Sequence, residues 1–333
     1  MSNAKLSVLM ANYNHAQYIT EAIEAVINQS HKPYEFIILD DASTDNSVDI
    51  IQKYAQSIPF IKFFINKENQ GVLRNANRLL DIAKGDYVFF NAADDKILPG
   101  FFEKCMDLLS RYPNAASCCS DPVFIKEIGH TSYTQRLNLS ETATYFNPSE
   151  LVKILKDTGF TIPGSTLVIK RQYLLDLGGF HPQLKWHIDW FASHVIAFRK
   201  GICYIPEPLA CFRILPDSYS SSARRSKRGD KLYKSVIKEM LDLLLSDSYR
   251  DVLPLFKESG FLTIIGIPLF QLCIEKRKYR QFLSRRLIIR AFKDYIISIT
   301  PAPVMRAYYT IKELLLKKIR SLKLIKYKRE CVN

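Results

Sequence analysis

Two adjacent aspartates, Asp94 and Asp95, follow a run of aromatic and aliphatic residues that begins at Tyr87. Carboxylates held side by side repel each other and raise each other's pKa unless a positive charge lies near them. The pair is either an exposed acidic turn or a seat for Mg²⁺ or Mn²⁺, which prefer carboxylate oxygens and leave coordination positions open for substrate phosphates. In the second case, the metal would also bind a diphosphate of the substrate and neutralise its negative charge as the diphosphate leaves.

A second acidic pair, Asp40 and Asp41, ends another apolar run. A carboxylate in this position can cap the helix that follows it. Asn12 and Tyr13 come directly after the first apolar run of the chain, so all four side chains are candidates for recognising a planar, hydrogen-bonding group. Tyr13 could stack on a base while an aspartate accepts a hydrogen bond from a ring N–H. The residues alone leave a helix cap and a nucleobase-binding site as alternatives.

A third polar turn, Asn69-Gln70-Gly71, is followed by Arg74. Gly71 suits a turn that needs a positive φ angle. Arg74 lies at the beginning of a predicted helix, where its charge and the helix N-terminus both favour a phosphate group. The alternative is an ordinary surface arginine.

A lone carboxylate, Asp189, lies among aromatic residues in the stretch Trp186-His187-Ile188-Asp189-Trp190. At the start of a helix, an aspartate can simply complement the helix dipole. It could also act as a general base in an aromatic-lined pocket, which is how carbohydrate rings are usually held. We therefore treat Asp189 as a candidate base and Trp186, His187 and Trp190 as candidates for the surrounding pocket.

The elements that must position these side chains alternate between strand and helix periodicity over the first 120 residues. This alternation predicts a parallel sheet in a doubly wound α/β fold, in which ligands bind outside the carboxyl ends of the strands. The polar turns therefore share one predicted site. The predicted strands lie near 6–10, 35–39, 61–65, 87–90 and 115–119, and the turns at 12–14, 40–45, 66–71 and 91–95.

The alternation weakens after residue 120. Polar, basic residues 218–228 form a predicted connector, and mainly helices follow it. One of them, at about 261–295, is expected to break near Pro268. The remaining predictions are helices at 148–157, 188–200, 229–246, 250–258 and 304–326, and strands at 166–170 and 202–205.

The formal net charge of +14 is concentrated near the C-terminus. Residues 271–333 hold 17 of the 47 basic side chains and four of the 33 acidic ones. This asymmetry suggests a globular body with a basic appendage that faces an anionic surface. The seven cysteines lack metal-ligand spacing, and no signal segment precedes the first strand, so we expect reduced thiols and a cytoplasmic protein. The longest apolar stretch, at 260–274, is too short to span a bilayer.

Five segments, taken in order, resemble the family 2 glycosyltransferases, and the resemblance covers roughly residues 5–220. It implies a GT-A-type doubly wound, mostly parallel sheet flanked by helices, to which a helical basic C-terminal extension is added. The implied catalytic domain is 1–220, with a nucleotide-sugar half at about 5–120 and an acceptor half at about 121–220, before the helical region at 221–333. The segments are Ser7 to Asn14, Leu39 to Asp45, Asn69 to Gly71, Ala92 to Asp95, and Gly178-Gly179-Phe180 through Asp189.

The resemblance also implies roles for individual residues. Ala11 and Tyr13 fall where the family contacts the base, and Asp41 where it accepts from the pyrimidine ring. Asp94 takes the place of the residue that holds the donor ribose or sugar. Asp95 takes the place of the metal-ligating aspartate, and the implied cofactor is Mn²⁺ or Mg²⁺. Asp189 matches the catalytic base of an inverting transfer.

Three positions depart from the family pattern. Ala92 stands where an Asp-x-Asp motif would place an aspartate, which puts the strength of metal binding in doubt. Ile188 stands where a first acid often precedes the base, so Asp189 is the sole candidate. Leu215 stands where a histidine ligand is common, although Arg213 in the same segment could still contact a phosphate.

The implied reaction moves a sugar from a nucleoside-diphosphate donor, with UDP expected, to a glycan or lipid-linked acceptor. Such a reaction would serve the assembly of a surface polysaccharide or glycoconjugate. A nucleotidyltransferase is disfavoured because Asn12-Tyr13-Asn14 replaces the glycine-rich, basic loop that it would need after strand one. A non-catalytic sugar- or nucleotide-binding scaffold at the membrane is the other alternative, and Ala92 is its best support.

The basic tail carries an amphipathic pattern: Leu314, Ile319, Leu322 and Ile325 alternate with lysines and arginines. A helix of this kind lies on anionic lipid, which suggests a peripheral position on the inner face of the cell membrane. The alternatives are packing on the catalytic domain or a homo-oligomer formed through this region. We expect no nucleic-acid partner, because no recognisable nucleic-acid-binding motif accompanies the charge.

Overall fold

The computed structural model of the 333-residue chain describes residues 4–126, 131–215 and 231–300. Contacts divide the chain after Leu262 into two compact units. None of the helices in these described ranges is long and apolar enough to cross a membrane. The predicted helix at 304–326 and the predicted connector at 218–228 both lie outside the described residues.

The first half of the first unit is a parallel sheet with strand order β3-β2-β1-β4. Strands β1 and β2 are buried almost throughout, because helices cover both faces of the sheet. Helix α1 buries Ile19, Ala22, Ile23 and Val26 at helical spacing against this core. The elements are β1 (Leu6–Asn12), α1 (Ala16–Ile27), β2 (Glu35–Asp40), α2 (Ser47–Ser57), β3 (Ile61–Ile65), α3 (Val72–Ile82) and β4 (Tyr87–Phe90).

The sheet continues through a short antiparallel strand, β9, which pairs with β4 on one side and β6 on the other. Strand β6 then runs parallel to β10, and β5, β7 and β8 pair antiparallel at the margins. The further elements are β5 (Lys96–Ile97), α4 (Phe101–Arg111), β6 (Ser117–Lys126), β7 (Thr131–Thr134), β8 (Thr144–Phe146), α5 (Pro148–Thr158), β9 (Val168–Lys170), α6 (Arg171–Asp176), α7 (Ile188–Lys200) and β10 (Ile202–Ile214).

Two helices after the catalytic sheet also belong to the first unit: α8 (Lys231–Leu244) and α9 (Leu253–Glu258). The residues between them are tied to the sheet-bearing part of the chain. Tyr249 Oη lies 2.6 Å from His181 Nε2, and Arg199 Nε donates to Asp251 Oδ2 at 2.7 Å. The compact unit therefore extends about 40 residues beyond the boundary near 220 that the sequence suggested.

The second unit contains α10 (Ile267–Glu275) and α11 (Arg285–Ile299), joined by a 3₁₀ segment at Arg277–Phe282. Its core includes Leu269, Leu272, Tyr279 and Leu287. Pro268 lies in the first turn of α10, where a missing backbone N–H costs nothing, so it begins a helix. The predicted break near Pro268 is present at Gly266, but the prediction of one long helix beyond it is wrong, since four separate segments occupy 261–299.

The mostly parallel, doubly wound α/β fold and its C-terminal helices are confirmed. The fifth predicted strand is longer than its apolar pattern indicated, because β6 continues to Lys126 beside β10. The crossover to β9 also differs from a simple wound sheet. Its antiparallel direction brings the turn before β9 to the same edge as the polar turns after β1 and β4.

Candidate functional site

A cavity of about 960 Å³ opens at the carboxyl ends of β1 and β4. It brings together most of the side chains that the sequence singled out, although they come from positions up to 202 residues apart in the chain. Asp40, Arg74, His187 and Trp190 are predicted site residues that do not line it. Those that do are Ala11, Asn12, Tyr13, Asp41, Asp94, Asp95, Trp186, Asp189 and Arg213.

Asp41 is a densely hydrogen-bonded point of the cavity wall. Its carboxylate accepts from the backbone N–H of Gln70 at 2.8 Å, that of Gly71 at 2.9 Å, and Asn66 Nδ2 at 2.7 Å. Burial acts to raise the pKa of Asp41, but these donors and Asn75 together hold the pKa below its ordinary value. Asp41 is therefore an anion that fixes the turn at 66–71, beside the exposed ring of Tyr13.

Asp40 is fully buried and lies behind the cavity wall. It accepts from Asn12 Nδ2 at 2.7 Å, from the Ser43 backbone N–H at 2.8 Å and from Ser43 Oγ at 2.7 Å. These bonds hold the turn after β1 against the turn after β2. Asn12 Oδ1 is buried and has no hydrogen-bond partner within the described part of the chain, which leaves one acceptor beside the cavity.

Arg74 lies in a neighbouring recess of about 580 Å³, which it lines together with Lys67 and Arg78. Its Nη1 donates to Gln70 Oε1 at 3.2 Å, within the turn that Asp41 holds. The recess is rich in cationic and amide groups. Arg74 is thus separated from the acidic turn at 94–95, although it borders the same polar edge of the sheet.

Arg213, on β10, holds the acidic turn in place. Its backbone N–H donates to Asp95 Oδ1 at 2.8 Å, and its Nε donates to the backbone carbonyl of Asp94 at 2.8 Å. The guanidinium also pairs with Glu21 on α1 and lies 4.8 Å from the centre of the Tyr18 ring. The side chain is therefore engaged by its own protein: it holds the backbone of the turn at Asp94, while the backbone N–H of Arg213 holds the Asp95 carboxylate.

The electrostatics of Asp95 suit a cation site. Burial and the neighbouring Asp94 carboxylate raise its pKa well above the ordinary value, and the Arg213 N–H only partly offsets them. An ionised carboxyl in these surroundings is unfavourable without a positive charge beside it. Within the described ranges, no group of three or more His, Cys, Asp or Glu side chains could hold a metal. The turn fits a divalent cation that takes its other ligands from water and substrate phosphates.

Asp189 lies in the first turn of α7 and faces the same cavity. Its side chain reaches solvent even though protein surrounds it closely, as expected for a group in an open cleft. Burial raises the pKa of Asp189, and the backbone N–H groups of Trp190 and of Asp189 itself only partly offset it. A carboxylate with a raised pKa accepts a proton more readily, which suits a general base.

The aromatic residues around Asp189 fall into two groups. Trp186 lines the cavity and stacks on Tyr233, and its indole N–H is buried without a partner among the described residues. Trp190 points to the opposite side, where it stacks on Phe261 at 4.5 Å. His187 packs between Trp190 and Tyr233, and burial lowers its pKa to about 4, so the ring is neutral.

Two further residues of the cavity escaped the sequence reasoning. A Cβ at Gly164 would overlap Asp189 Oδ2, so this glycine makes room for the carboxylate. Lys185 has φ 49° and ψ −120°, a conformation that is strained for any residue other than glycine. Strain of this kind is tolerated where surrounding structure imposes it, often at functional sites. Neither residue belongs to a recognisable motif, and only the folded chain brings them to the cavity.

Comparison with known proteins identifies the family of the chain. The model of glycosyl transferase family 2 matches residues 7–178. TuaG of Bacillus subtilis, named for teichuronic acid biosynthesis, is 37% identical over 226 residues, 67% of this chain and 84% of TuaG. The minor teichoic acid biosynthesis protein GgaB of the same organism is 35% identical over 308 residues, which cover 88% of this chain but only 33% of GgaB.

Solved structures share the fold at low sequence identity. S. aureus TarS in complex with UDP-GlcNAc aligns with a TM-score of 0.58 and 20% identity over 84% of this chain and 78% of the TarS chain. The mannosyltransferase PcManGT from Pyrobaculum calidifontis, solved with GDP-Man and Mn²⁺, aligns with a TM-score of 0.56 and 17% identity over 95% of this chain and 81% of the PcManGT chain. From the family match and the relatives together, we conclude that this chain belongs to the family 2 glycosyltransferases.

Proposed function

We propose that the protein transfers a sugar from a nucleoside-diphosphate donor to a hydroxyl of a glycan or lipid-linked acceptor, with inversion at the anomeric carbon. One observation carries this proposal: a single cavity joins the Asp41 and Tyr13 region, the Asp94-Asp95 turn and Asp189. A uracil base, a diphosphate and a reacting hydroxyl would each meet a group of suitable chemistry. UDP is the expected nucleotide, because the anionic Asp41 stands where the family accepts a hydrogen bond from the pyrimidine ring.

The donor half of the site would bind and orient the nucleotide. Tyr13 offers an exposed ring for stacking, and Asn12 Oδ1 offers an unfilled acceptor. Asp94 is the proposed contact to the donor sugar or ribose. Asp95 would hold Mn²⁺ or Mg²⁺, which, when bound, neutralises charge on the departing diphosphate. Arg213 would hold this turn in place through its bonds to the backbone carbonyl of Asp94 and to the carboxylate of Asp95.

Asp189 would remove the proton from the acceptor hydroxyl as that oxygen attacks the anomeric carbon. The proton moves to the Asp189 carboxylate, the new glycosidic bond forms, and the nucleoside diphosphate leaves with the electron pair of the old bond. Trp186, whose indole N–H has no partner in the described part of the chain, would contact the sugar or acceptor close to this point. His187 and Trp190 would support the pocket from behind, since neither lines the cavity.

Asp189→Asn tests the proposal directly. General base catalysis contributes roughly 10²–10⁴-fold, so the variant should lose at least about two decades of kcat while donor binding persists. Release of nucleoside diphosphate is measured with a hydroxyl acceptor, and calorimetry with the intact donor reports binding. Near-normal turnover in this variant would rule out Asp189 as the base. Failure of any nucleotide sugar to bind the wild-type protein would refute the transferase assignment itself.

We further propose that the acceptor belongs to a surface polysaccharide or glycoconjugate, and that the enzyme works in the cytoplasm at the inner face of the membrane. The support for the acceptor class is the naming of GgaB and TuaG for teichoic and teichuronic acid biosynthesis. The support for the membrane is the concentration of basic residues after residue 270. Association of two copies through the C-terminal region is the alternative use of that surface.

A further inference from the structure

The last described helix, α11, exposes a continuous apolar face. Six large apolar side chains recur at a spacing that places them on one arc of about 120° around the helix axis. Each is between 42% and 66% exposed, and Phe292 is the most exposed of them. They are Ile288, Ile289, Phe292, Tyr295, Ile296 and Ile299, which we call the α11 apolar face.

The rotation of α11 about its axis is fixed by its other side. Leu287, Ala291 and Asp294 are buried within the second unit, and Arg290 Nε lies 3.1 Å from Asp294 Oδ1. A Cβ at Gly266 would overlap the Asp294 carboxylate, so this glycine allows the close approach of α11. The helix therefore has a built inner surface, and its apolar outer face is not the result of an arbitrary orientation.

Cationic side chains surround this face. Residues 263–300 contain eight lysines and arginines but only two acids, Glu275 and Asp294. One of the two acids is paired with Arg290. Seven of these cations are exposed: Lys276, Arg277, Lys278 and Arg280 in the segment before α11, and Arg285, Arg286 and Lys293 on the helix itself. An apolar stripe beside a cationic rim is the pattern of helices that lie in the interface of an anionic bilayer.

We propose that the α11 apolar face inserts into the headgroup and acyl-chain boundary of an anionic membrane. The inference deepens the membrane partner proposed above, because it names the inserted residues and predicts insertion in addition to charge attraction. A second copy of this chain fits less well, since a self-complementary contact would bring two cationic rims together. Residues 301–333 fit less well for the same reason, with nine basic and two acidic side chains.

Vesicle binding of the full chain tests the insertion. Wild type should bind vesicles of equimolar phosphatidylglycerol and phosphatidylcholine and bind far less to phosphatidylcholine alone. The double variant Ile289→Ser/Phe292→Ser should lose about 100-fold in affinity, since each large apolar side chain contributes about tenfold or more when it leaves water. The matched control Phe64→Ser removes an exposed ring from β3 and should bind as wild type does.

A second measurement separates insertion from charge attraction. Phe292→Trp adds an indole whose emission should be quenched by brominated acyl chains and protected from aqueous iodide only when anionic vesicles are present. Wild-type vesicle affinity in the double variant would overturn the proposal. An indole already protected without vesicles, or a wild-type dimer that the double variant converts to a monomer in light scattering, would identify protein as the occupant and overturn it too.

The outcome is independent of catalysis. With a soluble acceptor, the double variant should turn over at the wild-type rate, because its substitutions lie in the second unit, outside the catalytic cavity. Lost vesicle binding with intact turnover supports the inference. Intact vesicle binding with no glycosyl transfer by the wild type would instead contradict the proposed function and leave the inserted face standing.

Discussion

Gly164→Ala probes the base through its neighbour, because it shifts the Asp189 carboxylate without removing it. The added Cβ would overlap Asp189 Oδ2 and lie 3.4 Å from its Cγ. The oxygen must move by about 1 Å before it reaches ordinary van der Waals contact. Gly164 does not have a positive φ, so alanine brings no backbone strain at this position. The substitution acts mainly by displacing the carboxylate.

A displacement of about 1 Å at a reacting group costs roughly 10²-fold in rate. We therefore expect Gly164→Ala to lower kcat by about 10²-fold, with the donor dissociation constant and the melting temperature close to wild type. Steady-state release of nucleoside diphosphate gives kcat, and calorimetry with donor gives the binding constant.

A double-mutant cycle provides the control. If Gly164 acts only through Asp189, adding Gly164→Ala to Asp189→Asn should cost nothing further, because the base is already lost. Full additivity of the two losses would refute the reasoning. An unchanged kcat in Gly164→Ala alone would show that the carboxylate can rotate away without penalty.

Three further predictions concern charge and strain. Asp95→Asn keeps the acceptor for the Arg213 N–H but removes the charge repulsion with Asp94. Without metal, the variant should therefore have a melting temperature no lower than that of wild type. Addition of Mn²⁺ should raise the melting temperature of wild type only. Lys185→Gly should be more stable than Lys185→Ala by about 1–3 kcal/mol in urea unfolding, because glycine adopts the strained conformation freely; equal stability would contradict the strain. The lowered pKa of Asp41 means that its stabilisation is complete above the ordinary value of 3.8 and is lost as pH falls through the lower folded-state pKa. The melting temperature of wild type should therefore drop as pH falls through that acidic range. Asp41→Asn should be about 2–4 kcal/mol less stable than wild type at neutral pH. Its melting temperature should drop less over the same acidic range.

The sequence predicts the donor half of the fold well, because each strand from Leu6 to Phe90 is a compact apolar run that ends in a polar turn. The carboxyl-end rule for parallel sheets then collects those turns at one edge. The sequence also singles out Asp189 as a candidate base, although no local pattern indicates how far this residue lies from the polar turns. That distance depends on β9, which is three residues long and has little periodicity.

Other features arise only from tertiary contacts. Arg213 resembles a phosphate ligand in sequence, but in the fold its donors are taken by Asp94, Asp95 and Glu21. Asp40 and Asp41 are equivalent as a dipeptide, whereas alternation along β2 and the turn after it gives them different surroundings. Asp40 ends in the interior and Asp41 at the cavity wall. A sequence pattern indicates which groups are polar but not which partners fill their hydrogen bonds.

Strand β9 has a consequence for recombining this enzyme with its relatives. Within the described sheet, its three residues are the sole link between β4 and β6. On one side of this link lie β1 to β4 with the polar turns that follow them, and on the other side lie β6 and β10. Gly164 lies just before it, and the chain runs on from it to Asp189. A hybrid that exchanges the chain after residue 120 would take β9 from one parent and its partner β4 from the other. Cutting after α6 would instead keep β9 with both of its neighbouring strands, at the expense of separating Gly164 from Asp189.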